Sequence, residues 1–299
     1  MAKKLFGLIP LLVLAYSSCK LQTSETTLPY KQQKLEIPEG GIQQLLRYPN
    51  QSNIAISAHR GGGEYEGYPE NCLASFEFIT QQVMAIIECD VRSTADGVLV
   101  LLHDETLDRT TTGSGKVEEK TWEEIKNLKL LDNLGNETDY HIPTLQEAIK
   151  WAKGKALLSL DVKKKVAFEA VIAAVEETET QNFVNIITYT LEAAKIVHRL
   201  APDLMISCTI RNEFEFNQYD SCGIPWTNII AFTGLKESPK ALYDALHEKG
   251  VLCILGTIGN LDRHAKSRGD QFYKTCLEKG ADILATDRPL EAALVLKEK

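Results

Sequence analysis

The chain has no basic excess. Its 33 lysines and arginines are outnumbered by 41 aspartates and glutamates, giving a formal net charge of −8 at pH 7. Such a balance leaves little to neutralise a polyphosphate backbone, so nucleic acid is not expected as a partner. A long apolar run is lacking near the N-terminus. The stretch Leu5–Tyr16 has 12 residues, whereas a helix needs about 20 to cross a bilayer. Of the 7 cysteines, none forms a CxxC pair or sits at zinc spacing with histidines, which removes the common redox and zinc signatures. No GxGxxG loop opens a helix, which weakens a dinucleotide-binding reading. There is no internal repeat.

The N-terminus has the shape of a targeting segment. Lys3 and Lys4 precede the apolar run, and Ser17, Ser18 and Cys19 follow it. A short basic region, a short apolar region and small residues make a signal peptide. The residues before Cys19 resemble a bacterial lipoprotein signal, which implies loss of residues 1–18 and a lipid anchor on Cys19. Tyr16 stands where that signal usually has an aliphatic residue, and a plain secretory signal is the alternative. The expectation is an exported, membrane-anchored lipoprotein, periplasmic or at the cell surface. Residues 20 to about 50 are polar, lack periodicity and contain Pro29, Pro38 and Pro49. Residues 19–52 therefore read as a tether and irregular lead-in. Export permits disulfides. Cys89, Cys208 and Cys253 lie inside apolar strand-like runs, however, and free buried thiols are the expectation.

From Asn53 onward, short apolar runs alternate with stretches of helical period. The strand-like runs are Ile54–Ser57, Ala85–Arg92, Val98–Leu102, Leu157–Val162, Val184–Tyr189, Leu204–Ile210, Asn228–Phe232, Val251–Leu255 and Asp282–Thr286. Helical period marks Cys72–Gln82, Leu145–Ala152, Ala167–Glu179 and four later segments. Such alternation implies parallel strands with helical crossovers. Eight principal strands fit an α/β fold closed as a TIM (β/α)8 barrel over residues 53–299, with Val98–Leu102 as an extra strand. An open doubly wound sheet is the alternative. Residues 105–144 are polar and break the rhythm, so they read as a small insertion between the second and third barrel strands.

The chemistry gathers at strand ends. Side chains alternate along a strand, so Glu88, Asp90 and Arg92 share one face while Cys89 and Val91 share the other. A purely structural use of these groups would pair Arg92 with Asp90. Asp161 and Lys163 also share a face at the end of an apolar run. Carboxylates converging from two strands repel one another by on the order of 3 kcal/mol per pair at about 5 Å and an effective dielectric of about 20. A divalent cation relieves that repulsion, and oxygen-only ligands suit Mg²⁺ or Ca²⁺. His59 ends the first strand, and His103 follows the Val98–Leu102 run. Imidazole, with an ordinary pKa of about 6.5, suits both proton abstraction and proton donation near neutrality. Gly61–Gly63 would let a backbone approach a ligand closely.

These residues resemble the glycerophosphodiester phosphodiesterase family. The resemblance rests on His59-Arg60-Gly61, on Pro69-Glu70-Asn71 with Ser75-Phe76, and on Glu88-x-Asp90. It continues through Asp96-Gly97, His103-Asp104, Leu107–Thr111, Ile142–Leu145, Gly280–Asp282 and Thr286–Pro289, in the family's order. It implies a TIM barrel that hydrolyses a small-molecule glycerophosphodiester to glycerol 3-phosphate and an alcohol. It further implies His59 and His103 as the acid/base pair, and Glu88, Asp90 and Asp161 as ligands of one divalent cation. Arg60 and Lys163 would contact phosphate, and Glu70 would be a ligand or a supporting partner at the site. Two departures stand out. Asp161 occupies a position that is usually glutamate, and Gly256 occupies one that is usually tryptophan, which opens room for a bulkier alcohol. Two alternatives remain. One is a phosphodiester lyase resembling phosphatidylinositol-specific phospholipase C or sphingomyelinase D, which would stop at a cyclic phosphate. The other is a lipid-anchored binding protein without turnover. No protein partner is expected.

Overall fold

The computed structural model describes residues 35–50 and 52–297. The strands are β1 (Ile56–Ala58), β2 (Ala85–Ser93), β3 (Leu99–Leu101), β4 (Lys129–Leu131), β5 (Glu137–His141) and β6 (Leu157–Val162). They continue with β7 (Val184–Thr188), β8 (Met205–Thr209), β9 (Ile229–Phe232), β10 (Cys253–Gly256) and β11 (Ile283–Thr286). β1, β2 and β6 to β11 run parallel, each beside the next. β1 pairs in parallel with both β2 and β11, so the sheet closes into the expected (β/α)8 barrel and the open sheet is excluded. β3 lies antiparallel on the end of β2, with Val91 opposite Leu101.

The strands read as near-continuous apolar runs because both faces are buried. Ile87, Leu158 and Ile186 point outward to the helices, whereas their neighbours Ile86, Leu157 and Met205 point into the barrel. That interior cluster also takes in Leu35, Ile42 and Leu46. Ile42 and Leu46 are almost fully buried, and Gly41–Leu45 forms a short helix. Residues 35–50 therefore do not act as a tether; they plug the barrel at the N-terminal ends of its strands. Their apolar residues sit on a five-residue helix, too short to give a periodic signal. The expected signal peptide, Cys19 and the rest of the tether lie outside the described residues.

Between β3 and the helix Leu145–Ala152 stands a small subdomain. It contains the β4–β5 hairpin and the helix Trp122–Ile125, which a Thr121–Glu124 capping box starts. It has an apolar cluster of its own that includes Leu107, Val117, Ile125, Leu130 and Ile142. The six cysteines of the described chain are all free, and only Cys222 is not fully buried.

Candidate active site

Parallel barrels place their strand ends, and the loops that follow, on one face. β2 and β6 are in register so that Asp90 lies beside Asp161, with Glu88 two residues earlier on the same face. One oxygen from each of Glu88, Asp90 and Asp161 lies within 4.8 Å of the others, and all three residues are buried. Burial and the Asp90 charge push the Glu88 carboxyl up to about 8. Burial also works against the Asp90 charge, but the ammonium of Lys163 and the Asn71 amide outweigh it and hold Asp90 below its ordinary value. Asn71 donates to Asp90 Oδ2 at 2.8 Å and accepts the Asp90 N–H at 2.9 Å.

Lys163 reaches into this cluster rather than away from it. Its Nζ is 2.6 Å from Asp90 Oδ1 and 2.5 Å from Asp161 Oδ2. Tyr189, just past β7, donates its hydroxyl to the same Asp161 Oδ2 at 2.9 Å. Asp161 Oδ1 is buried and has no partner. An orphaned carboxylate oxygen beside two other acids is what a hard cation would use, so the three residues fit one.

Arg60 has a left-handed backbone, φ 54°, which turns its N–H to Glu88 Oε2 at 2.8 Å. Its guanidinium lies 3.2 Å from Glu70 and 3.7 Å from Asp90, and its Nε is buried without a hydrogen-bond partner. Glu70 stands behind this layer. It accepts from Arg60 and, at 2.7 Å and 3.0 Å, from Arg109. It therefore supports the site and is not part of the carboxylate cluster. Arg92 does not pair with Asp90. Its Nε and Nη2 donate to the His103 carbonyl at 3.0 Å and 2.6 Å and hold that histidine's backbone in place.

Both histidines are present on the same cavity, of about 360 Å³, with Glu88, Asp90, Asp161 and Lys163. His59 Nδ1 lies 2.6 Å from Asp287 Oδ1, and its Nε2 is 4.0 Å from Glu88. Burial opposes the His59 charge, but the Asp287 hydrogen bond and the Glu88 charge prevail and raise its pKa. His103 Nδ1 lies 2.7 Å from Asp104, whose other contacts are to Arg109. In each case Nδ1 is engaged and Nε2 remains for chemistry.

The sequence is matched by the model of the "Glycerophosphoryl diester phosphodiesterase family" over residues 59–291. The chain belongs to that family. It is 35% identical over 158 residues to a glycerophosphodiester phosphodiesterase of Caldanaerobacter subterraneus, a match covering 50% of this chain and 64% of that protein. It is also 35% identical over 147 residues to the bovine glycerophosphodiester phosphodiesterase 1, covering 44% and 43%. The matched segments thus span less than two thirds of these relatives. A solved glycerophosphoryl diester phosphodiesterase from Parabacteroides distasonis is similar with a TM-score of 0.82 and 37% identity, over 88% of this chain and 93% of that one. An Oleispira antarctica phosphodiesterase solved with sn-glycerol-3-phosphate shares the fold, with a TM-score of 0.65 and 21% identity over 82% and 97%.

Within this family member, four supporting residues went unassigned in the sequence. Asn71, Asp104, Arg109 and Asp287 all lie inside the motifs that carry the resemblance, but their partners could not be read from the chain. Asp287 follows β11 and meets a histidine 228 residues away. Tyr189 carried no signal beyond its place as the last residue of the strand-like run Val184–Tyr189; the strand ends one residue earlier, at Thr188. The room expected at Gly256 is taken. A Cβ there would fall 2.6 Å from Leu235 and 2.9 Å from Phe232, and both side chains line the cavity with Ile254 and Ile258. An apolar wall is thus present, built from Phe232 at the end of β9, Leu235 in the loop after it, and Ile254 and Ile258 in and after β10, instead of from residue 256.

Proposed function

We propose that the protein is a metal-dependent glycerophosphodiester phosphodiesterase. It would hydrolyse a small glycerophosphodiester to glycerol 3-phosphate and an alcohol. The observation that carries this is the convergence on one cavity of two carboxylate-backed histidines with the Glu88–Asp90–Asp161 cluster. Family membership supports the substrate class.

Glu88, Asp90 and Asp161 would hold one Mg²⁺ or Ca²⁺. The cation would supply positive charge to a nonbridging phosphate oxygen. Arg60 and Lys163 line the same cavity and would bring positive charge to the phosphate. A water, or the glycerol 2-hydroxyl, attacks phosphorus as the bond to the alcohol oxygen breaks. One histidine takes the nucleophile's proton and the other gives a proton to the departing alkoxide; where the 2-hydroxyl attacks, a water then opens the cyclic phosphate to glycerol 3-phosphate. Asp287 and Asp104 engage Nδ1 of the two rings and leave Nε2 of each for the proton transfers. For His59→Ala and His103→Ala, kcat is expected to fall by about 10²- to 10⁴-fold each, the usual contribution of a positioned acid or base. Turnover of glycerophosphodiesters near wild type in both variants would refute the assignment. We further propose the signal at residues 1–18 and a lipid anchor at Cys19. Mass spectrometry of the protein isolated from its own cells tests this, because an unprocessed N-terminus would contradict it.

A further inference from the structure

We propose that Tyr189 is a positioning residue for the cation site, setting the carboxylate of Asp161 so that its Oδ1 faces Glu88 and Asp90. The inference rests on the cation reading above and extends it to a residue outside the carboxylate cluster.

Asp161 has two oxygens with unequal surroundings. Oδ2 accepts from both Lys163 and Tyr189, whereas Oδ1 is buried with nothing to bond. The terminal torsion of an aspartate is broad. Pinning one oxygen therefore decides where the other points. The two donors differ in what a divalent cation does to them. Lys163 also touches Asp90, so its ammonium sits among the acids that would bind the cation, and like charges repel. Tyr189 is neutral, and it reaches Asp161 from the end of β7, outside the Glu88–Asp90–Asp161 cluster. Tyr189 is thus the donor that can remain when the cation enters. A glutamate at position 161 would carry its carboxylate one methylene further from the backbone and away from the hydroxyl of Tyr189, so the phenol could no longer aim it.

The test is a set of Ca²⁺ and Mg²⁺ titrations followed by calorimetry on four full-length proteins: wild type, Tyr189→Phe, Asp161→Glu and the double variant. Tyr189→Phe is expected to raise the dissociation constant about tenfold, the usual cost of losing a ligand's supporting partner. In the Asp161→Glu background the same change is expected to be within about twofold. The proposal is overturned if Tyr189→Phe leaves affinity unchanged, or if it weakens binding equally in both backgrounds. The latter would mark a merely structural role. Wild type that binds neither cation would instead refute the cation reading itself, so the two failures are distinguishable. The Tyr189 side chain is largely solvent-exposed at 61%, so Tyr189→Phe is expected to fold, and circular dichroism verifies it.

Discussion

His59 and His103 each meet a carboxylate through Nδ1, but the carboxylates are not equivalent. Asp104 is clamped by Arg109 at 2.6 Å, so much of its charge is already neutralised. Among the described residues no lysine or arginine pairs with Asp287, whose carboxylate is held below its ordinary value, against burial, chiefly by His59. Asp287 therefore raises the His59 pKa, and its removal must lower it. Asp287→Asn is expected to move the His59 limb of the kcat/KM–pH profile to lower pH. It is also expected to reduce kcat/KM by less than the roughly 10²- to 10⁴-fold loss from deleting the histidine. An unshifted limb would show that Asp287 does not act through His59. At this scale the carboxylate cluster was legible. Strand alternation gave Glu88 and Asp90 a common face, and Asp161 ended a comparable run. Asp287 was not, because no local pattern joins residues 228 positions apart.

Elements, not single residues, bring these groups together. The loop after β1 and the loop after β11 touch at Gly63, where a Cβ would fall 1.8 Å from the Asp287 carbonyl oxygen. Only glycine permits that approach. The insertion is joined to the loop after β1 through Asp132, a buried residue between β4 and β5. Its carboxylate accepts the N–H groups of Gly67, Leu134 and Asn136. Asp132→Ala removes charge-assisted bonds and leaves donors unmet, and is expected to cost about 2–3 kcal/mol. Denaturant unfolding measures this; a change under about 0.5 kcal/mol would mean the hairpin is held otherwise. The barrel strands were legible as apolar runs bounded by turn residues, and β6 was placed to the residue at Leu157–Val162. The insertion read as polar because its apolar residues are spaced irregularly, although Leu107, Val117, Leu130 and Ile142 converge in the folded chain.

The molecule divides its two barrel ends between stability and chemistry, as parallel barrels do. Leu35, Ile42 and Leu46 plug the N-terminal end, and the acids and histidines occupy the other. Ile42→Ala, at a fully buried position, is expected to cost about 2–5 kcal/mol while leaving kcat near wild type. A loss of kcat without a loss of stability would place residues 35–50 in the chemistry instead. The fold was legible because eight strand–helix alternations leave few topologies, whereas the plug was hidden in a stretch dominated by polar residues and prolines. The central claim is metal-dependent hydrolysis at the Glu88–Asp90–Asp161 end. The most direct test is phosphorus NMR of glycerophosphocholine turnover with EDTA, then with Mg²⁺ or Ca²⁺ restored singly. Glycerol 3-phosphate is expected as the accumulating product, abolished by EDTA and recovered with one of the two ions. A cyclic phosphate that accumulates instead, or turnover that survives EDTA unchanged, would contradict it.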